Sequence, residues 1–275
     1  MIAKPKESKA RTPYLEYCYC EAQRAGAKTL IVSFPGRKGN RPAAVPADQC
    51  PPFLKGILDS SDADVLYVRS VYEGDYNLAN ITDDHYLLPE FLYDLREQRD
   101  IKRLVLFGFS LGCEPCIRLA RKYVADEVIL ISPALCSVET LNAVEDNRLQ
   151  KDFDKFCNTW NLPEIEPFPQ NIRVKILQGL NLENDLLKER PLVYYLKLLI
   201  PQAIVEVVPG TGHHIINFWR DQGILKTKIH DLLGIEPTTP VENPRLKWTN
   251  LADAFTRDIF AESETPAIKD IRVTA

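Results

Sequence analysis

At 275 residues, with 45% hydrophobic and 26% charged side chains, the chain is long enough to bury one large core, alone or with an appendage. A formal net charge of −4 and a pI near 5.7 give no electrostatic reason to expect a nucleic acid or an anionic membrane as partner. Seven cysteines, an odd number in a chain too long to need stapling, argue for reduced thiols; residues 1–13 are polar and basic, and nowhere do about 18 apolar residues run together to span a bilayer. The expectation is a soluble cytoplasmic protein.

Short β-branched apolar runs alternate with longer helical patterns. Strands are expected over 14–22, 29–34, 65–71, 104–108, 127–132, 174–178 and 204–208. Helical periodicity falls over 83–99, 111–124, 138–160 in one or two pieces, 184–199 and 215–233. Strands that are apolar throughout and separated by helices call for a mostly parallel central sheet flanked by helices, an α/β fold, with an antiparallel edge formed by the first strand or two. After Gly234 the texture changes, with Pro237, Pro240, Pro244 and Pro266 punctuating the tail. Residues 1–235 are therefore read as the main domain and 236–275 as an extension packed on it. Within the extension, Thr249 is placed to cap a helix over 249–261 whose Leu251, Phe255 and Ile259 recur every four residues. Such a stripe docks on the body or, alternatively, joins two copies as a homodimer.

The fourth predicted strand runs into Gly108-Phe109-Ser110-Leu111-Gly112, a G-x-S-x-G pattern with a predicted helix after it. A sharp strand-to-helix turn forces the serine into strained backbone geometry, and flanking glycines remove side chains that would collide there. The hydroxyl then projects from the carboxyl edge of the sheet, where open α/β sheets place their ligands. The alternative use of Ser110 is as an ordinary helix cap in a glycine-bounded turn.

With Ile131-Ser132-Pro133 ending the next strand, the early Phe34-Pro35-Gly36-Arg37-Lys38-Gly39-Asn40, and the late Val207-Val208-Pro209-Gly210-Thr211-Gly212-His213-His214, the chain from about residue 14 to 233 resembles the α/β-hydrolase fold. The resemblance implies the chain order nucleophile, acid, histidine. It makes Ser110 the nucleophile and His213 the base, with His214 as the fallback base. The acid belongs after the 174–178 strand, where Gly179-Leu180-Asn181-Leu182-Glu183-Asn184-Asp185 has Leu182 at the commonest carboxylate position; Asp185 is preferred and Glu183 is close behind. An acidic residue in a first helical turn also has a purely dipolar explanation. The oxyanion donors implied are the backbone N–H groups of Leu111 and Arg37, with Pro35-Gly36 standing where relatives often carry histidine-glycine. Gly36, Phe109 and His214 are expected to line the substrate site.

A short cap is expected over about 134–170, with Phe153, Phe156, Trp160 and Leu162 either lining the site or serving as core. Arg37, Lys38 and Arg41 suit an anionic substrate or are simply solvated. His85 and His230 are read as solvated or partly packed. Cys113 and Cys116 have C-x-x-C spacing but no partners for a metal site, and are read as small buried side chains whose helix N-terminus lowers a thiol pKa. No metal or cofactor is expected. The leading expectation is a serine hydrolase acting on a carboxylic ester, thioester or activated amide, small or carrier-borne. The rivals are an acyltransferase using the same acyl-enzyme and a non-catalytic binding protein on the same fold.

Overall fold

The computed structural model describes residues 15–20, 28–36, 63–70, 87–121, 125–134, 168–181, 189–234 and 249–250. The strands are β1 (Leu15–Cys20), β2 (Thr29–Phe34), β3 (Asp64–Ser70), β4 (Arg103–Phe109), β5 (Glu127–Ile131), β6 (Arg173–Gly179), β7 (Ile204–Val208) and β8 (Thr249–Asn250). They form one sheet in the order β7-β6-β5-β4-β2-β3-β1-β8. The six strands β2 to β7 are mutually parallel. β1 runs antiparallel to β3, and β8 antiparallel to β1.

The helices are α1 (Leu87–Gln98), α2 (Cys113–Ala120), α3 (Glu189–Leu199), α4 (Ile215–Asp221) and α5 (Leu225–Leu233). They cover the sheet so completely that Leu30, Ile31 and Val32 in β2, Val105, Leu106 and Phe107 in β4, and Val128 to Ile131 in β5 are all 0% exposed. That is why these strands read as unbroken apolar runs and not as alternating ones. β7 ends the described sheet, and its Ile204 and Val207 are exposed. Among the described residues no helix is long and apolar enough to cross a membrane.

Two predicted elements differ from what is observed. The pattern over 215–233 divides into α4 and α5 because Gly223 adopts a left-handed φ of +70° between them. Thr249 and Asn250, expected to open a helix, instead pair with Tyr17 and Glu16 of β1. The expected helix over 138–160, the cap and the remainder of the extension lie outside the described residues.

The amino edge of the sheet is held by charge. Glu127, buried at the start of β5, accepts from Arg103 of β4 (2.6 Å) and Arg173 of β6 (3.2 Å), with Lys175 3.5 Å away. Arg103 and Lys175 also donate to the carbonyls of Leu233 and Leu232 at 2.6 and 3.0 Å, so cations sit on the negative end of α5. At the other edge the register aligns Phe34 with Gly108, and Phe109 with Ile131. β2 connects to β3 on one side while β4 lies on the other, so the order reverses there, the place where open α/β sheets bind their ligands at the carboxyl ends.

Candidate active site

The chain leaves β4 at Phe109 and enters a 3-10 turn, Ser110–Gly112, that leads directly into α2. Ser110 has a φ of +55°, a left-handed conformation that costs an L residue on the order of 1–2 kcal/mol. Two glycines make this turn possible by close approach. A Cβ on Gly108 would lie 2.6 Å from the Gly112 carbonyl oxygen, and one on Gly112 would lie 2.2 Å from that of Phe34. The start of α2 thus rests backbone to backbone on β4 and on the end of β2. Ser110 is left at the corner above them.

The loop after β7 is folded back over the end of β6. Leu180 N–H donates to Val208 O and Asn181 N–H to Thr211 O, both at 2.9 Å. A Cβ on Gly179 would meet the Gly212 carbonyl oxygen at 2.2 Å, so the two chains touch where β6 ends. From this loop His213 reaches across, and its Nε2 lies 3.0 Å from Ser110 Oγ. With the ring proton on Nδ1, Nε2 accepts the serine hydrogen, which is the arrangement that raises a hydroxyl's nucleophilicity. Phe109 packs on one side of the imidazole with ring centroids 5.7 Å apart, and His214 stands edge-on to it at 5.3 Å.

Gly36 closes the third side. A Cβ there would come within 3.0 Å of both Ser110 Cβ and Phe109 Cδ1, so the segment after β2 lies directly on the Ser110 turn. Leu111, whose N–H was named as an oxyanion donor, follows Ser110 at the head of the turn and is buried.

Ser110, Leu111, His213, His214, Phe109 and Gly36 are therefore gathered at the carboxyl ends of β2, β4 and β7. Arg37, Glu183 and Asp185 lie outside the described residues, as do His85 and the aromatic residues of the expected cap. His230, read as solvated or partly packed, is buried on α5. Among the described residues no group of three or more His, Cys, Asp or Glu is placed to hold a metal ion.

Cys113 and Cys116 are buried, and Cys113 Sγ donates to Ile131 O at 3.6 Å. Burial pushes the Cys116 thiol well above its ordinary value, and neighbouring Cys113 adds to the rise. The burial agrees with the reading of both as small buried side chains, and for Cys116 loss of hydration outweighs the lowering by a backbone hydrogen bond. One feature of the site had no sequence signal beyond the strand end Ile131-Ser132: Ser132 also has positive φ, +47°.

No protein-family model matches the chain, and no curated protein sequence does. Solved structures do match. An esterase from Pyrobaculum calidifontis superposes with a TM-score of 0.51 at 14% identity, over 80% of this chain and 81% of that one. A protein of unknown function from Agrobacterium tumefaciens, described as a candidate alpha/beta hydrolase, gives 0.50 at 16% identity over 82% and 95%. At these identities the likeness is one of architecture: the chain has the α/β-hydrolase fold.

Proposed function

We propose that this protein is a serine hydrolase cleaving a carboxylic ester, thioester or activated amide through an acyl-enzyme. The observation that carries this reading is the 3.0 Å contact from His213 Nε2 to Ser110 Oγ at a strained, left-handed corner. A serine used merely as a cap needs neither the imidazole nor the strain; here the N-caps of the turn and of α2 are Phe109 and Gly112, and Ser110 is neither.

In the first half-reaction Ser110 Oγ attacks the substrate carbonyl carbon while its proton passes to His213 Nε2. The carbonyl π pair moves onto oxygen, where the N–H groups of Leu111 and Arg37 donate to it. Collapse expels the alcohol, thiol or amine, which takes the proton from His213. Water then repeats the sequence on the acyl-enzyme and releases the acid. Asp185, with Glu183 as the alternative, is assigned to orient the Nδ1 side of the ring. Gly36, Phe109 and His214 are assigned to the substrate site. The domain reading proposed alongside is a body over 1–235 with a cap near 134–170 and an extension over 236–275.

Labelling with a fluorophosphonate serine probe tests the reading. Wild-type protein is expected to label, and Ser110→Ala and His213→Ala to lose it. Failure of the wild type to label beside a reactive control hydrolase would favour a binding protein instead. Product analysis with and without an added alcohol or amine acceptor separates hydrolysis from acyl transfer.

A further inference from the structure

Strand β5 ends in a second corner built like the first. Three non-glycine residues among those described have positive φ, and two of them are Ser110 (+55°) and Ser132 (+47°). The register pairs Phe109 with Ile131, so these two serines stand side by side at the carboxyl edge. The second corner is tied down on both sides. Ser132 N–H donates to Leu177 O at 2.8 Å, and Ala134 N–H donates to Ser110 O at 3.2 Å.

Ser132 is 0% exposed and its Oγ is buried without a hydrogen-bond partner. One residue therefore carries two costs, a left-handed backbone and an unmet hydroxyl. Alanine would remove the second and glycine both, so neither packing nor backbone geometry calls for serine here.

The chain from Gly212 to His213 bridges the end of β5, the strand that ends at this serine. The Gly212 carbonyl rests on Gly179 at the end of β6, and the next residue reaches Ser110 at the end of β4. β5 lies between those two strands, about 4.8 Å from each, and Ser132 is where it ends.

We infer that Ser132 is a positioning residue for His213, its hydroxyl oxygen turned to the imidazole when the ring becomes charged. The inference rests on the hydrolase reading. As Ser110 gives its proton to Nε2, the ring passes from neutral to cationic. A hydroxyl dipole held in a dry site beside it stabilises that charge without rearrangement of solvent.

The test compares Ser132→Ala and Ser132→Gly in the full chain. The chain has four histidines, so their imidazole signals can be followed by NMR titration, with His213→Ala and His214→Ala assigning two of them. His214, 5.3 Å away by ring centroid, is retained in both Ser132 variants. Because the hydroxyl favours the cation, both variants should lower the His213 midpoint by about half a unit or more. The acid limb of fluorophosphonate labelling should move down with it, and labelling at its plateau should slow by about tenfold. The melting temperature should hold or rise, which a merely structural role does not produce.

A midpoint that is unchanged or raised in both variants overturns the inference. So does an effect confined to glycine, which would assign the corner's backbone and not its hydroxyl. Labelling that survives both substitutions unaltered overturns this inference alone, whereas wild-type protein that labels no faster than Ser110→Ala overturns the hydrolase reading and this inference together.

Discussion

Replacement of Gly112 by alanine should damage stability and the site together. The new Cβ would stand 2.2 Å from Phe34 O and 2.6 Å from both Phe34 C and Pro35 O, where real Cβ atoms essentially never come within 3.0 Å. All three atoms are backbone, so no rotamer change relieves the clash, and the end of β2 must separate from the head of α2 by about 0.8 Å. Overpacking of this kind costs about 1–3 kcal/mol, and at about 2–4 °C per kcal/mol for a chain of this size the melting temperature should fall by about 2–12 °C. The displaced segment includes Gly36, which lies so close to Ser110 that a Cβ would be 3.0 Å from Ser110 Cβ, so fluorophosphonate labelling should slow by about a hundredfold. Gly223→Ala is the control. Its φ is +70° but nothing lies within 4 Å of the added carbon, so it should lose about 1–2 kcal/mol from backbone strain and label normally. A Gly112→Ala protein that melts within a degree of wild type and labels at the same rate would refute the backbone-contact account of the turn.

Glu127→Ala should destabilise by about 2 kcal/mol, less than a fully buried pair, because Arg173 is largely exposed and Arg103 and Lys175 keep their carbonyl partners on α5. Urea unfolding measures this, and a change under about 0.5 kcal/mol would show that the network contributes little. Hydrogen bonds from Lys102 and Lys28 hold the Asp100 carboxyl down at about 2, against 3.8 ordinarily. Its folded form thus resists protonation, contributing stability above pH 3.8 that is lost as pH falls toward 2. Asp100→Asn should therefore be less stable than wild type at pH 5 and converge with it near pH 2, with salt eroding the difference; equal denaturant midpoints at pH 5 would count against the ion pairs. Iodoacetamide at about pH 8 should leave Cys113 and Cys116 unmodified in folded protein and alkylate both in urea, as read by peptide mass spectrometry. Rapid alkylation of Cys116 in the folded state would contradict its burial.

Legibility in the sequence followed the range over which each feature is determined. The Ser110 turn was readable because Gly108, Ser110 and Gly112 meet its demands within five residues. His213 was readable because glycines precede it, although the partner they serve, Gly179, is visible only once β6 and β7 are adjacent. Periodicity carried 215–233 as one helix, since a left-handed Gly223 changes direction without changing the apolar spacing. Thr249 reads locally as a cap, and its pairing with Tyr17 depends on a strand more than two hundred positions away. The conformation of Ser132 left no mark, although Ile131-Ser132-Pro133 was read as a strand end: a serine after an apolar strand looks the same whether its φ is negative or +47°.

The two edges of the sheet divide stability from chemistry. At the amino edge, buried Glu127 gathers three cations from adjoining strands, two of which also grip the end of α5. The Glu127 carboxylate is met there, although Arg103 Nε is buried without a partner. At the carboxyl edge, Ser110 and Ser132 are left-handed, and the Oγ atoms of Ser132 and of Ser33, one residue before the end of β2, are buried without partners. Strain and unmet hydroxyls persist only where the surrounding structure over-determines them, and the fully buried runs of β2, β4 and β5 supply that rigidity. If the division is real, substitutions at Glu127 should lower stability without changing the rate per folded molecule, whereas Ser132→Ala should change the rate without lowering stability. A Glu127 variant that labels slowly while fully folded would show that the edges are coupled through the strands and that the separation does not hold.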